Sequence, residues 1–306
     1  MVRVLFIGEC MAELAPASTP GSHSLGFAGD TFNTAWYLAQ LCSQADVSYF
    51  TAVGEDAISG QMLDMMSTSG IGTEHVQVIP GRSVGLYLIT LNAGERSFSY
   101  WRGQSAARCL ARDAAALGAA QSRADIIYFS GITLAILDRQ DRATLLDGIG
   151  KARRAGKEVV FDPNLRPRLW DSPSDMTEAV MQAAAVSTMI LPSFEDETSW
   201  FGDADPAATV GRYCQAGADT VVVKNGAADV HYRDSDAHGI IEVEPLSDVV
   251  DTTAAGDSFN AALLAGQMAG WSRKFSIETA NRLARHVIQG KGALVQIDQS
   301  LIDRFA

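Results

Sequence analysis

Six short runs rich in β-branched and aromatic residues punctuate the chain: VRVLFIGE (2–9), VSYFTAVG (47–54), ADIIYFSG (124–131), KEVVFDPN (157–164), STMILPS (187–193) and DTVVVKNG (219–226). The first ends at Gly8, just before Glu9, and glycine, serine, proline, asparagine or aspartate closes each of the others. Runs this continuously apolar suit strands buried on both faces, not strands with one wet face. Helical patterns separate most of them, among them TFNTAWYLAQL (31–41), ISGQMLDMMSTSG (58–70), RATLLDGIGKARRAG (142–156) and PAATVGRYCQAG (206–217), the last three ending in a glycine placed as a C-cap. Buried strands alternating with helices predict a doubly wound α/β fold, a mainly parallel sheet flanked by helices and joined by right-handed crossovers. Ligands in such folds gather beyond the carboxyl ends of the strands, which directs attention to Glu9, Asp162, Asn164, Arg166, Ser193, Lys224 and Gly226.

Two regions interrupt this rhythm. SVGLYLITLNAGERSFSYWRG (83–103) holds two alternating runs around the turn residues NAGE and reads as a β-hairpin, while CMAELAPASTPGSHSLGFAG (10–29) is too irregular for a helix. Together, about 12–28 and 83–104 predict a small β-sheet lid on a single domain spanning 1–306; an aromatic hairpin that merely covers core is the competing reading. No repeat, low-complexity tract or linker divides the chain.

Composition removes several function classes. A net charge of −12 opposes a nucleic-acid footprint, which needs clustered Lys and Arg, and no apolar run reaches the roughly 20 residues of a membrane span. The four cysteines (10, 42, 109, 214) are scattered with no CxxC spacing, and no signal-peptide pattern opens the chain, so a reducing, cytoplasmic setting is expected. The five histidines form no HxxxH or HExxH arrangement, which argues against a protein-built zinc site.

No GxxxxGK[ST] loop and no GxGxxG after the first strand is present, so nucleotide chemistry would need another device. DTTAAGDSFNAALLAG (251–266) supplies one. Its small residues Ala254, Ala255 and Gly256 leave backbone N–H groups open at the start of a helix, where the unpaired amides and the positive helix end converge on an anion. Asp257 beside that cradle could accept a proton from a hydroxyl attacking a phosphoryl group. The plainer alternative is an acid in the first turn of an ordinary helix, favourable for its dipole.

These residues carry a resemblance. DTTAAGD is similar to the DTxGAGD signature of the ribokinase-like (PfkB) carbohydrate kinases, and FAGDTFNTAWYLAQL (27–41) resembles their N-terminal sugar-binding signature. The likeness runs from VLFIGEC to VIQGKGAL. Ala254 stands where the common pattern has glycine, a change expected to matter only if that position needs positive φ. GERSFSYWRGQSAA, FDPNLRPRLW and SGITLAIL further resemble the branch of the family that phosphorylates the 6-hydroxyl of 2-keto-3-deoxygluconate. The resemblance implies an ATP-dependent sugar-acid kinase with Asp257 as base and Ala254, Ala255 and Gly256 as the anion hole. Gly29, Asp30 and Asn33 would meet sugar hydroxyls, with Asp30 alternatively the N-cap of its helix. Tyr87, Tyr100 and Arg102 would close over the substrate from the hairpin, though both tyrosines could be plain packing residues.

A carboxylate and a 2-keto group suit planar, permanently charged forks, which Arg102 and Arg166 would supply; surface ion pairing is the commoner fate of an arginine. For ATP the resemblance implies Asn164, Ser193, Lys224, Gly226 and Gly256, with a surface lysine the competing reading for Lys224. The family's NxxE motif is here SFED, so Mg²⁺ is expected mainly on the ATP phosphates, with Asp196 reaching it through water. Activation by a monovalent cation stays open. Lids in this family often pair between subunits, which implies a homodimer. Two rivals remain: a kinase of a neutral sugar (fructose or ribose) or a nucleoside, and a non-catalytic sugar- or nucleotide-binding regulator.

Overall fold

In the computed structural model, which describes residues 1–17, 19, 21–92, 95–235 and 237–305, the strands are β1 (Val2–Ile7), β2 (Met11–Pro16), β3 (His23–Ala28), β4 (Ala45–Phe50), β5 (Ala52–Val53), β6 (Gln77–Val78), β7 (Gly85–Asn92), β8 (Glu95–Trp101), β9 (Ile126–Ser130), β10 (Glu158–Asp162), β11 (Met189–Ile190), β12 (Thr220–Val223), β13 (Val230–Arg233) and β14 (His238–Ile241). The helices are α1 (Asp30–Leu41), α2 (Ala57–Thr68), α3 (Ala114–Arg123), α4 (Gly131–Ile136), α5 (Arg139–Arg154), α6 (Pro173–Ala185), α7 (Phe194–Phe201), α8 (Pro206–Gln215), α9 (Ala255–Met268), α10 (Arg273–Val287) and α11 (Gln299–Ile302).

Eight strands form one sheet in the order β14-β13-β12-β11-β10-β9-β1-β4, parallel from β4 to β12 and antiparallel only at β13 and β14. Alternation along β1 shows why the parallel part reads as continuous apolar runs: Val4 and Phe6 join the core beneath α1, α9 and α10, while Leu5 and Ile7 join the core beneath α3, α5 and α6. Both faces are buried, so the predicted doubly wound layer is present. Gly156 and Gly217, at φ 82° and 111°, follow α5 and α8 in the left-handed conformation expected of C-cap glycines.

The second sheet, β3-β2-β7-β8, projects from the end of β1. It joins the two regions that break the helical rhythm, with Tyr87 directly opposite Tyr100 across the β7–β8 pair. The centre of the hairpin turn, 93–94, lies outside the described residues. No helix among the described residues is long and apolar enough to cross a membrane.

Candidate active site

A cleft of about 760 Å³ opens at the carboxyl ends of the parallel strands, roofed by the second sheet and floored by the start of α9. That volume lies within the usual range for small-molecule sites. Of the residues singled out from the sequence, Gly29, Asp30, Asn33, Tyr87, Tyr100, Asn164, Arg166, Ser193, Asp196, Lys224, Gly226 and 254–257 all line it.

The turn before α9 is built as an open amide cradle. Asp251 holds it, accepting from the N–H (3.1 Å) and hydroxyl (2.7 Å) of Thr253 and from the N–H of Gly292 (2.7 Å). Ala254 then takes φ 60°, ψ 15°, the left-handed N-cap that starts the helix without a side-chain cap. The condition under which alanine would matter here is met, because this position takes positive φ, where a Cβ is strained. Ala255 is corrected as a cradle donor: its N–H donates to the Thr252 carbonyl at 3.2 Å. The N–H groups of Gly256 and Asp257 have no backbone acceptor among the described residues, so these two amides face the cleft. A Cβ on Gly256 would stand 3.6 Å from Lys224 Nζ, so the ammonium lies beside the turn that carries the two free amides.

Asp257 sits in the first turn of α9 but caps nothing. Its Oδ2 accepts from Asn33 Nδ2 at 2.8 Å, which ties the catalytic candidate of one signature to an asparagine of the other. The residue is half-buried at the floor of the cleft. Burial, and then the neighbouring charge of Asp30, push it up to about 8; the Asn33 hydrogen bond and Lys224 pull the other way. Asp30 is not the N-cap of α1, since Gly29 holds that place; its Oδ2 accepts from Asn164 Nδ2 at 2.7 Å. Gly29 is required by space, as a Cβ there would lie 2.1 Å from the Glu9 carbonyl oxygen. Asn164, at φ 35°, and Ala254 are the two non-glycine residues with positive φ in the described chain, and both line the cleft. Strained backbone gathers at functional sites in this way.

Beneath the cradle lies a buried polar network that the sequence only half disclosed. Lys224 is no surface lysine: its Nζ donates to Asp162 Oδ2 and to Asn260 Oδ1, both at 3.1 Å. Asn260 Nδ2 in turn donates to Asp162 Oδ2 (2.7 Å) and to Tyr128 Oη (2.8 Å). Asn260 follows Asp257 by three residues on α9, a spacing that puts both on one helix face and could have marked it.

The two arginines part company. Arg166 lines the cleft with its side chain 51% exposed, its Nη1 3.8 Å from Asp196. Arg102 does not line it: its side chain is only 11% exposed and its guanidinium donates to the buried carboxylate of Glu9. The expectation that Arg102 faces the open cleft is thus corrected. Just past the end of β8, it points under the roof toward the carboxyl end of β1. Tyr87 and Tyr100 do face the cleft, their ring centroids 5.9 Å apart, and Tyr87 Oη donates to Glu13. Asp196, in the first turn of α7, is raised by burial before any other cause. It lines the cleft wall, a placement that suits contact with Mg²⁺ through water on a bound nucleotide.

A parallel sheet roofed by a small β sheet, with an aspartate beside free amides at a helix start, defines a phosphoryl-transfer site of the ribokinase type. The chain belongs to the pfkB family of carbohydrate kinases, whose pattern matches residues 1–299. It is 39% identical to the 2-dehydro-3-deoxygluconokinase of Haemophilus influenzae over 302 residues, covering 96% of each protein. The enzyme of the same name from Dickeya dadantii is 36% identical over 305 residues, covering 97% of each. Among solved structures, Xylella fastidiosa fructokinase with bound ATP shares the fold at a TM-score of 0.81, with 22% identity, over 95% of this chain and 93% of that one.

Proposed function

We infer that this chain is an ATP-dependent kinase of 2-keto-3-deoxygluconate, the compound also called 2-dehydro-3-deoxygluconate, and that it esterifies the 6-hydroxyl to give 2-keto-3-deoxy-6-phosphogluconate. The observation that carries the chemistry is the juxtaposition of Asp257, the free amides of Gly256 and Asp257, and Lys224. Near-full-length identity to enzymes of that name carries the substrate.

In the proposed reaction the O6–H proton passes to Asp257 as O6 bonds to the γ-phosphorus, the bond to the bridging oxygen breaks, and ADP departs. A carboxyl raised to about 8 is matched to this task, because a general base works best with a pKa near the working pH. The two amides and Lys224 meet the charge spreading over the transferred phosphoryl oxygens. Mg²⁺, carried by ATP, would neutralise phosphate charge, with Asp196 positioned to order its water. Asn164, Ser193 and Gly226 would contact the nucleotide, while Gly29, Asp30 and Asn33 meet sugar hydroxyls and Tyr87 and Tyr100 cover the sugar. Arg166, the open guanidinium of the cleft, would read its carboxylate.

The roof is proposed to act as a lid that excludes water and to pair two subunits. Trp101 on β8, 58% exposed, supplies apolar surface for such pairing. A sugar acid and ATP as substrates fit a cytoplasmic setting. The engagement of Arg102 by Glu9 favours one second reading, a kinase of a neutral sugar, because it leaves Arg166 as the open guanidinium in the cleft. ADP release with 2-keto-3-deoxygluconate, gluconate, fructose and ribose in parallel separates the two. Selective turnover of the keto-deoxy acid supports the first, and preference for fructose or ribose supports the second.

A further inference from the structure

Asn260 is fully buried on α9, about one turn past Asp257, and every part of its amide is committed. Its Nδ2 donates to Asp162 Oδ2 at 2.7 Å and to Tyr128 Oη at 2.8 Å, and its Oδ1 accepts from Lys224 Nζ at 3.1 Å. Turned over, the amide would set its oxygen against the Asp162 carboxylate, so a single orientation fits. Asp162 is itself pinned, because its Oδ1 accepts from the N–H of Asn164 at 3.2 Å. Lys224 is thus held between two fixed acceptors. An ammonium carries three N–H donors, and Lys224 uses two of them, on Asp162 and Asn260, with no third acceptor among the described residues. The lysine nevertheless lines the cleft, with its side chain 10% exposed. An acid in place of Asn260 could accept from Lys224 equally well, but two carboxylates against one ammonium would oppose an arriving phosphate. A neutral acceptor holds the lysine without adding that charge.

We propose that Asn260 is a positioning residue for phosphoryl transfer: it is the second, uncharged anchor that fixes the Lys224 ammonium and leaves its remaining donor for the γ-phosphoryl oxygens of ATP. This rests on the reading that Lys224 meets the transferred phosphoryl group. Asp162 alone would keep the ammonium nearby but leave it free to swing about one contact. A fixed donor loses less freedom when the phosphate arrives, so the effect of Asn260 falls on ATP and not on ADP, which lacks the γ-phosphoryl group. Sugar binding is untouched.

The test uses the full chain with Asn260→Ser, Asn260→Leu and the double variant Lys224→Met/Asp162→Asn. Asn260→Ser withdraws the acceptor from Lys224 without setting an apolar group beside Asp162, so it keeps the test in hand if Asn260→Leu does not fold. The double variant removes Lys224 without stranding a buried carboxylate. ATP and ADP affinities are measured by calorimetry with Mg²⁺, and kcat and KM for 2-keto-3-deoxygluconate by ADP release. Both Asn260 variants are expected to weaken ATP about tenfold, to leave ADP and the sugar-acid KM within about twofold, and to lower kcat. If Asn260→Ser keeps the wild-type ratio of ATP to ADP affinity while the double variant loses it, the role of Asn260 is overturned and Lys224 stands as a phosphoryl contact. If the Asn260 variants weaken ATP and ADP in equal proportion, Asn260 is structural and the inference falls. If the double variant itself keeps both the wild-type ratio and kcat, Lys224 does not meet the transferred group and the underlying reading falls with the inference.

Discussion

Ala254 stands where its backbone asks for glycine, and this makes Ala254→Gly a quantitative test of the cradle. At φ 60° and ψ 15° the alanine Cβ crowds the following carbonyl, a cost of about 1–2 kcal/mol for an L-residue. Glycine relieves that strain but gains freedom in the unfolded chain, which offsets about 0.4–1 kcal/mol. The net expectation is between about zero and about 1.5 kcal/mol of stabilisation. Ala262, buried in the interior of α9, supplies the control. There, Ala→Gly loses about 1 kcal/mol of helix propensity and about 0.8 kcal/mol for the buried methyl group. The same change near one helix should therefore differ by about 2–3 kcal/mol between the two sites, read from urea midpoints at equal m-values. KM for ATP should hold, because the amides of Gly256 and Asp257 keep their places. An Ala254→Gly variant destabilised by about 1 kcal/mol or more would refute the left-handed cradle.

The remaining predictions concern charge. Because Asp257 is raised to about 8, kcat/KM for the sugar acid should climb with pH through neutrality and level off near that value, as measured in a pH–rate profile. The linked effect on stability has the opposite sign to that of an ion-paired aspartate. A raised carboxyl holds its proton more tightly in the folded chain, so its contribution to stability is present at low pH and declines between the ordinary carboxylate range and about pH 8. Asp257→Asn should flatten that decline in Tm against pH. Lys224→Met should cost about 3 kcal/mol by stranding the buried Asp162, and Lys224→Met/Asp162→Asn should regain most of it in denaturant melts while KM for ATP stays raised in both.

The features legible in the sequence were those with a local period or a local steric demand. Val4–Ile7 and Val221–Val223 announce buried strands because both faces are apolar, and Gly156 and Gly217 mark helix ends because only glycine takes their φ readily. The Tyr87–Tyr100 pairing follows from alternation around the turn. The antiparallel edge β13–β14 was not legible: strands of four residues carrying His231, Arg233 and His238 offer too short an alternation to stand out from a loop. In the site, the signatures located Asp257, Asn33 and Lys224 but not what they touch. Glu9 meets Arg102 from 93 residues away and Asp30 meets Asn164 from 134 away, and neither pairing has a local signal. The direction of Arg102 was misread for the same reason, since the end of a hairpin does not reveal which buried acid waits beneath it.

The central claim is that Asp257 takes the proton of a sugar-acid hydroxyl in phosphoryl transfer from ATP. The most direct measurement is single-turnover phosphorylation of 2-keto-3-deoxygluconate by the wild type and by Asp257→Asn, with ATP binding measured separately by calorimetry. The account predicts a 6-phosphorylated product from the wild type, a rate lower by a factor of about 10²–10⁴ in the variant, and ATP affinity little changed. A variant that transfers the phosphoryl group at near wild-type rate would contradict it.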